Sequence, residues 1–171
     1  MKQYFLIILM LLSSKLFGQT KFAQSWIVNE FKVQKLDEHY KLQAFLKPAF
    51  LEDDFNGDGR NDIAALVIQK KTNKKGILLI HGGSAKYYFL GAGSNFGNGG
   101  DNFEWLKGWR IYKKKVVYKT TFSTDGDITG AKKIKLIRHG IQAMSLIDGQ
   151  LTAAAIIYWD GSKYIWIHEG E

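Results

Sequence analysis

Asp54-Phe55-Asn56-Gly57-Asp58-Gly59-Arg60-Asn61-Asp62 places oxygen-bearing side chains at loop positions 1, 3, 5 and 9, with glycine at position 6. A short loop with that spacing wraps a hard cation such as Ca²⁺, which takes six to eight oxygens in flexible geometry. The ligands on offer are the carboxylates of Asp54, Asp58 and Asp62, the amide oxygen of Asn56 and the main-chain carbonyl of Arg60 at position 7. Gly59 permits the sharp turn that aims them inward, because glycine accepts positive φ freely. Three acids converging on one turn repel each other without a cation. The competing account is a metal-free hairpin turn, since Asp, Asn and Gly are also the commonest turn residues.

An EF-hand needs a bidentate glutamate at position 12, and that position is Ala65, inside the apolar run Ile63-Ala64-Ala65-Leu66-Val67-Ile68. The flanking helices of an EF-hand are excluded with it. A nine-residue loop closed by Asp62 and running into a β-strand resembles the loop of FG-GAP and VCBS-type repeats, on Asp54, Asn56, Asp58, Gly59, Asp62 and Ile63-Ala64. In that family the loop binds Ca²⁺, which implies the same ligand set here. The likeness covers roughly residues 50 to 69. No second copy is present: Asp125-Gly126-Asp127 and Asp160-Gly161 lack the spacing, so a full propeller is not implied. The chain is similar to small single-motif exported proteins of the "VCBS repeat-containing" type, which share a C-terminal Tyr-Trp-Asp-Gly hairpin. With its ligands committed, and with Ca²⁺ a weaker Lewis acid than Zn²⁺, the loop is expected to be structural. Its affinity should fall in the extracellular range, about 10⁻⁴ to 10⁻³ M.

Other motifs lack their partners. Gly91 to Gly97 reads GxGxxxG, but no helical pattern or β-α-β unit follows. Ile80-His81-Gly82-Gly83 resembles an oxyanion strand of esterases, yet the chain has no G-x-S-x-G elbow. The four histidines show no metal-ligand spacing. Glu52, Asp53 and Asp101 are acids of a kind that glycosidases pair, though sequence does not fix their separation. Trp105, Trp109, Trp159 and Trp166 would suit a sugar-stacking platform or a core, with core ahead. No catalytic constellation emerges.

The elements that must position the loop read mostly as strands. Residues 22–31 place Phe22, Trp26 and Ile27 at helical spacing, giving a short amphipathic helix expected to pack on the sheet. Leu36 to Leu46 fits either a strand or a helical turn, and Pro48 ends it. From Phe50 onward short apolar runs alternate with turn residues, closing on an aromatic hairpin at Asp160-Gly161. The expected fold is α+β: a mostly antiparallel meander sheet with a short N-terminal helix, not a full propeller.

Length bounds this to one domain with a real core, and 46% apolar against 23% charged content excludes a disordered tail. Lys2, the apolar run Phe5–Leu12 and Leu16-Phe17-Gly18 make a secretory signal peptide over residues 1–18, leaving a calcium-loop domain over 19–171. Eight apolar residues are too few to cross a hydrocarbon core needing about 20, so no membrane span is expected in the mature form. The chain has no cysteine, which excludes a lipoprotein anchor, disulfides, zinc ribbons and thiol catalysis. Losing Lys2 and Lys15 with the leader takes the formal charge from +8 to +6. Lysines in hairpin turns ordinarily keep strand edges soluble; a functional use would be attraction to acidic glycans or membrane surfaces. Nucleic acid is not an expected partner. The reading is an exported periplasmic or extracellular protein with a structural Ca²⁺ loop, a non-catalytic binding module for an envelope protein or glycan. The alternative is an envelope hydrolase acting on glycan or peptide, or an inhibitor of one.

Overall fold

The computed structural model describes residues 25–84 and 86–169. The leader, Phe22 and the helix start fall outside them. The described residues up to Glu38 and those from His39 onward belong to two compact units. The first carries a helix over residues 25–33, whose buried side chains Ile27 and Phe31 lie one turn apart, followed by a 3₁₀ turn at Leu36–Glu38. No helix among the described residues is long and apolar enough to cross a membrane.

The second unit contains two antiparallel sheets. In the first, β1 (Tyr40–Leu42) and β2 (Phe50–Asp53) share one edge of β3 (Asp62–Gln69). β4 (Lys75–Ile80) and β5 (Tyr87–Gly91) follow as consecutive neighbours. The ambiguous stretch after Leu36 thus resolves into a 3₁₀ turn and a three-residue strand.

The second sheet has β6 (Gly108–Tyr112), β7 (Val116–Phe122), β8 (Ile128–Lys135), β9 (Gly140–Ile147), β10 (Gln150–Trp159) and β11 (Tyr164–Glu169). Its spatial order is β6-β9-β10-β11-β7-β8. β9 to β11 run as a meander, β6 returns to the edge of β9, and the β7–β8 hairpin joins β11 through the single register pair Glu169–Lys119. Asp160-Gly161 turns β10 into β11 as expected. The Asp160 carboxylate accepts hydrogen bonds from the Ser162 and Lys163 N–H groups and the Ser162 hydroxyl. The fold is mostly-β α+β, with neither a closed barrel nor a propeller among the described residues.

The sheets share a core. Ala64 and Leu66 of β3 and Ile77 and Leu79 of β4 cluster with Ile141, Ala143 and Ile157 from β9 and β10. Side chains two apart along a strand point to one face, so these positions define the inner faces. β3 and β4 are buried on their other faces too, at Ile63, Ala65, Val67, Leu78 and Ile80. That explains why both read as unbroken apolar runs rather than as alternation. The nine-residue loop joins β2 to β3 and so springs from the most enclosed strand of the molecule.

Candidate metal loop

β2 pairs with β3 so that Asp53 lies opposite Asp62, and the loop closes the hairpin between them. Gly57 and Gly59 sit at φ of 82° and 85°, where side chains with a Cβ are strained. The polypeptide wraps inward, and nearly every turn-forming N–H finds a loop side chain. Asp54 Oδ1 accepts from the N–H groups of Gly57 at 2.6 Å and Asp58 at 3.1 Å, while its Oδ2 accepts from Gly59 at 2.9 Å. Asn56 Oδ1 accepts from Asp58 N–H at 2.8 Å, and Asp58 Oδ1 accepts from Arg60 N–H at 2.9 Å.

Asp62 is the pivot, fully buried at 0% exposure. Its Oδ2 accepts from the N–H groups of Phe55 and Asn56, both at 3.0 Å. Its Oδ1 accepts from Gly82 N–H at 2.9 Å, tying the loop to the chain just beyond β4. Burial, and to a smaller degree the neighbouring Asp58 charge, pushes the Asp62 carboxyl up to about 6; the three backbone donors pull the other way and do not win. That balance favours the protonated form more than it would for an exposed carboxylate.

Five sequence-expected site residues are Asp54, Asn56, Asp58, Arg60 and Asp62. Asp58, Asn56 and Asp62 come together: Asn56 Nδ2 donates to Asp58 Oδ2 at 3.1 Å and to Asp62 Oδ1 at 3.4 Å. One amide group thus stands between two acids. Asp54 is turned toward the N–H groups of residues 57–59. Arg60 lends its main chain to position 7, while its side chain runs back over Gly82 and Gly83. Among the described residues no three of His, Cys, Asp and Glu are gathered tightly enough to hold an ion by themselves.

The loop's side-chain oxygens are of the kind a hard cation takes, and the bonds above decide which of them are free. A carboxylate offers about four acceptor sites across its two oxygens. On the bonds above, Asp54 Oδ2 keeps one free. A half-turn of the Asn56 carboxamide would free Asp58 Oδ2 and Asp62 Oδ1, but it would also set the NH₂ against the Asp58 N–H that Asn56 Oδ1 accepts at 2.8 Å, leaving that N–H to Asp54 Oδ1 alone. An ion there would draw on those oxygens, the Arg60 carbonyl and water, since Ca²⁺ takes six to eight ligands.

The sequence reading missed Phe55. It sits between two ligand positions, is 1% exposed and joins the core shared by the two sheets. A lone aromatic inside an otherwise polar nine-residue loop was the available signal. It also missed the contacts the loop makes with distant chain. Asn61 Nδ2 donates to Glu52 Oε1 at 3.0 Å, and His139 Nδ1 lies 2.9 Å from Asp53 Oδ2.

The acids weighed as a hydrolytic pair are not assembled. Asp101 pairs with Lys74, at the end of β3 remote from Asp62. Seven residues of strand separate those ends, roughly 20 Å at strand rise, well beyond the approximately 5–9.5 Å that glycosidase carboxylates span. Trp109 is buried and donates to the Pro48 carbonyl at 2.8 Å, so it belongs to the core. Trp105 and Trp166 meet edge to face at 5.6 Å, and Trp105 Nε1 donates to the Gly99 carbonyl of the glycine-rich loop at 2.9 Å. No helix follows that loop, which leads instead through 3₁₀ turns into β6.

His81 is a core residue. Its Nε2 lies 2.8 Å from the Tyr164 hydroxyl, and the Tyr88 and Trp159 rings enclose it. Burial lowers its pKa from the ordinary 6.5; Lys86 adds to this, while Asp58 and Asp54 oppose it. The unfolded chain therefore takes up a proton below about pH 6.5 that the folded chain refuses, and stability falls as pH drops through that window. Asp62, with its raised value, acts in the opposite sense below about pH 6. The difference between wild type and His81→Gln isolates the histidine: the wild type should lose more melting temperature than the variant between about pH 7.5 and 5.5. Equal losses would show that His81 protonates freely in the fold.

Comparison with family models, with curated proteins and with solved structures finds no match to this chain. The likeness to FG-GAP and VCBS loops rests on the loop residues alone.

Proposed function

We propose that this chain is an exported cell-envelope protein whose Asp54–Asp62 loop holds a structural Ca²⁺ ion, with the rest serving as a non-catalytic binding module. The observation that carries the metal is the sharing of Asn56 Nδ2 between Asp58 and Asp62, with Asp62 fully buried. The amide does a cation's work there, and does it weakly, because it brings a partial charge to two carboxylates. An ion would hold the β2–β3 hairpin closed, which a chain without cysteine cannot do by disulfide.

Thermal melting with Ca²⁺ and with EDTA tests the loop. At a hundredfold excess of Ca²⁺ over its dissociation constant, linkage adds about 2.7 kcal/mol. That corresponds to roughly 5–10 °C for a chain of this size. Asp58→Ala should abolish the gain, and because Asp58 is exposed it should leave the metal-free melting point nearly unmoved. A wild-type curve indifferent to EDTA would reduce the loop to a turn. Export is tested by fractionation and by the N-terminal residue of the mature protein, expected to be Gln19.

A further inference from the structure

We propose that two open clefts flanking the Lys113-Lys114-Lys115 turn form one binding site for a linear acidic glycan, a sugar chain bearing carboxylate or sulfate groups. The turn joins β6 to β7. On one side a cleft of about 350 Å³ runs between it and the β8–β9 connection, with Arg138 and His139 on its far wall. On the other side a cleft of about 340 Å³ is walled by Tyr112, Tyr118 and Lys133. Lys114 and Lys115 line both, so they form a ridge between two grooves rather than the rim of one. Each volume lies in the range of small-ligand sites.

Among the described residues the lysines around the ridge have no acid partner, and Lys114 Nζ lies 6.0 Å from the centre of the Tyr112 ring in the cleft wall. Lys113, Lys114, Lys115 and Lys133 are exposed, and none has a carboxylate within ion-pair distance among the described residues. The clefts' own acids are engaged elsewhere. Asp53 holds His139 and the Asp54 N–H, Asp54 holds the N–H groups of its loop, and Glu169 accepts from Gln142. Arg138 is fixed in place by its Nη1 bond to the Trp159 carbonyl at 2.9 Å. Scattered solubilising lysines would not converge on two grooves in this way.

The acids in the walls select among polyanions. A nucleic acid carries a negative charge at every phosphate, and a dense charge train would meet Asp53, Asp54 and Glu169 with repulsion. A glycan spaces its anionic groups among neutral hydroxyls, so fewer of its charges face these carboxylates. Tyr118, 54% exposed and directly opposite Lys133 in the β7–β8 hairpin, offers a ring face to a sugar beside a cation for its acidic group.

This site supplies a ligand for the binding module proposed above. Asp54 and Gly57 of the calcium loop line the first cleft, so the titrations are run both in Ca²⁺ and in EDTA: binding in both separates this site from the calcium loop, and absence of binding in both is its failure. Titration calorimetry would use oligogalacturonate as the carboxylated probe, a heparin-derived oligosaccharide as the sulfated one, a maltooligosaccharide as the neutral control and single-stranded DNA of matched charge. At least one acidic glycan should bind, weakening as salt rises, with the better of the two fixing the anionic group; maltooligosaccharide should not. The double variant Lys114→Glu/Lys115→Glu should lose about tenfold or more in affinity. Lys133→Gln should lose less, and Lys71→Glu, at the remote β3–β4 turn, should lose little. Far-UV circular dichroism establishes that the variants are folded. Equal binding of the neutral glycan, tighter binding of DNA, an equal loss in Lys71→Glu, or no binding by any acidic glycan would each overturn the proposal.

Discussion

Asp62→Ala is expected to cost about 3 kcal/mol or more in urea unfolding, even with EDTA present. The carboxylate accepts from Phe55, Asn56 and Gly82, and at least the Phe55 and Gly82 bonds are buried. Alanine leaves those N–H groups without a partner at roughly 1–3 kcal/mol each, partly offset because a buried charge is also removed. Relief by water is restricted at Gly82, where the loop backbone approaches so closely that a Cβ would sit 2.1 Å from the Asn61 carbonyl oxygen. Asp62→Asn separates shape from charge. It keeps one acceptor oxygen but points an NH₂ at donors, so it should fall between wild type and alanine and should lose the calcium response. An alanine variant within about 0.5 kcal/mol of wild type would mean the three bonds do not hold the loop.

The loop was legible because its polar side chains are contiguous in sequence. Spacing along nine residues needs no knowledge of what lies across the fold, and β3 announced itself as an apolar run. The hidden part was everything that reaches the loop from elsewhere. Gly82 carries no side chain to advertise its N–H bond to Asp62, and His139 meets Asp53 across 86 residues of chain. Strand alternation tells which face a residue takes, not which strand lies beside it. So antiparallel strands in a mostly-β fold could be read, while their division into two sheets, the return of β6 to β9 and the attachment of β7–β8 through β11 could not. The lysine turn has the same history. Lys113-Lys114-Lys115 reads as solubilising until the β8–β9 connection brings Arg138 to the opposite wall of a cleft. Trp109 shows the converse, a residue of binding-site type that the fold spends on its core.

Phe55→Ala should be the most damaging single change in the loop, costing about 3–5 kcal/mol by urea unfolding. The ring is 1% exposed and belongs to the core that Ile77, Leu79, Ile141 and Ile157 also fill. Its removal leaves a cavity between the two sheets, beneath a loop that cannot collapse into it because Gly57 lies against the Arg138 guanidinium. Phe55→Leu fills part of that space and should cost less, about 1–2 kcal/mol. The leucine variant is the sharper instrument for function. Phe55 is both core side chain and donor to Asp62, so its packing fixes where one loop carboxylate stands before any ion arrives. If the core preorganises the loop, Phe55→Leu should fold yet need more Ca²⁺ for half of the melting gain, because the ion must then order what the ring had ordered. If its calcium midpoint matches wild type while its stability falls, the aromatic anchors the sheets alone and the loop shapes itself.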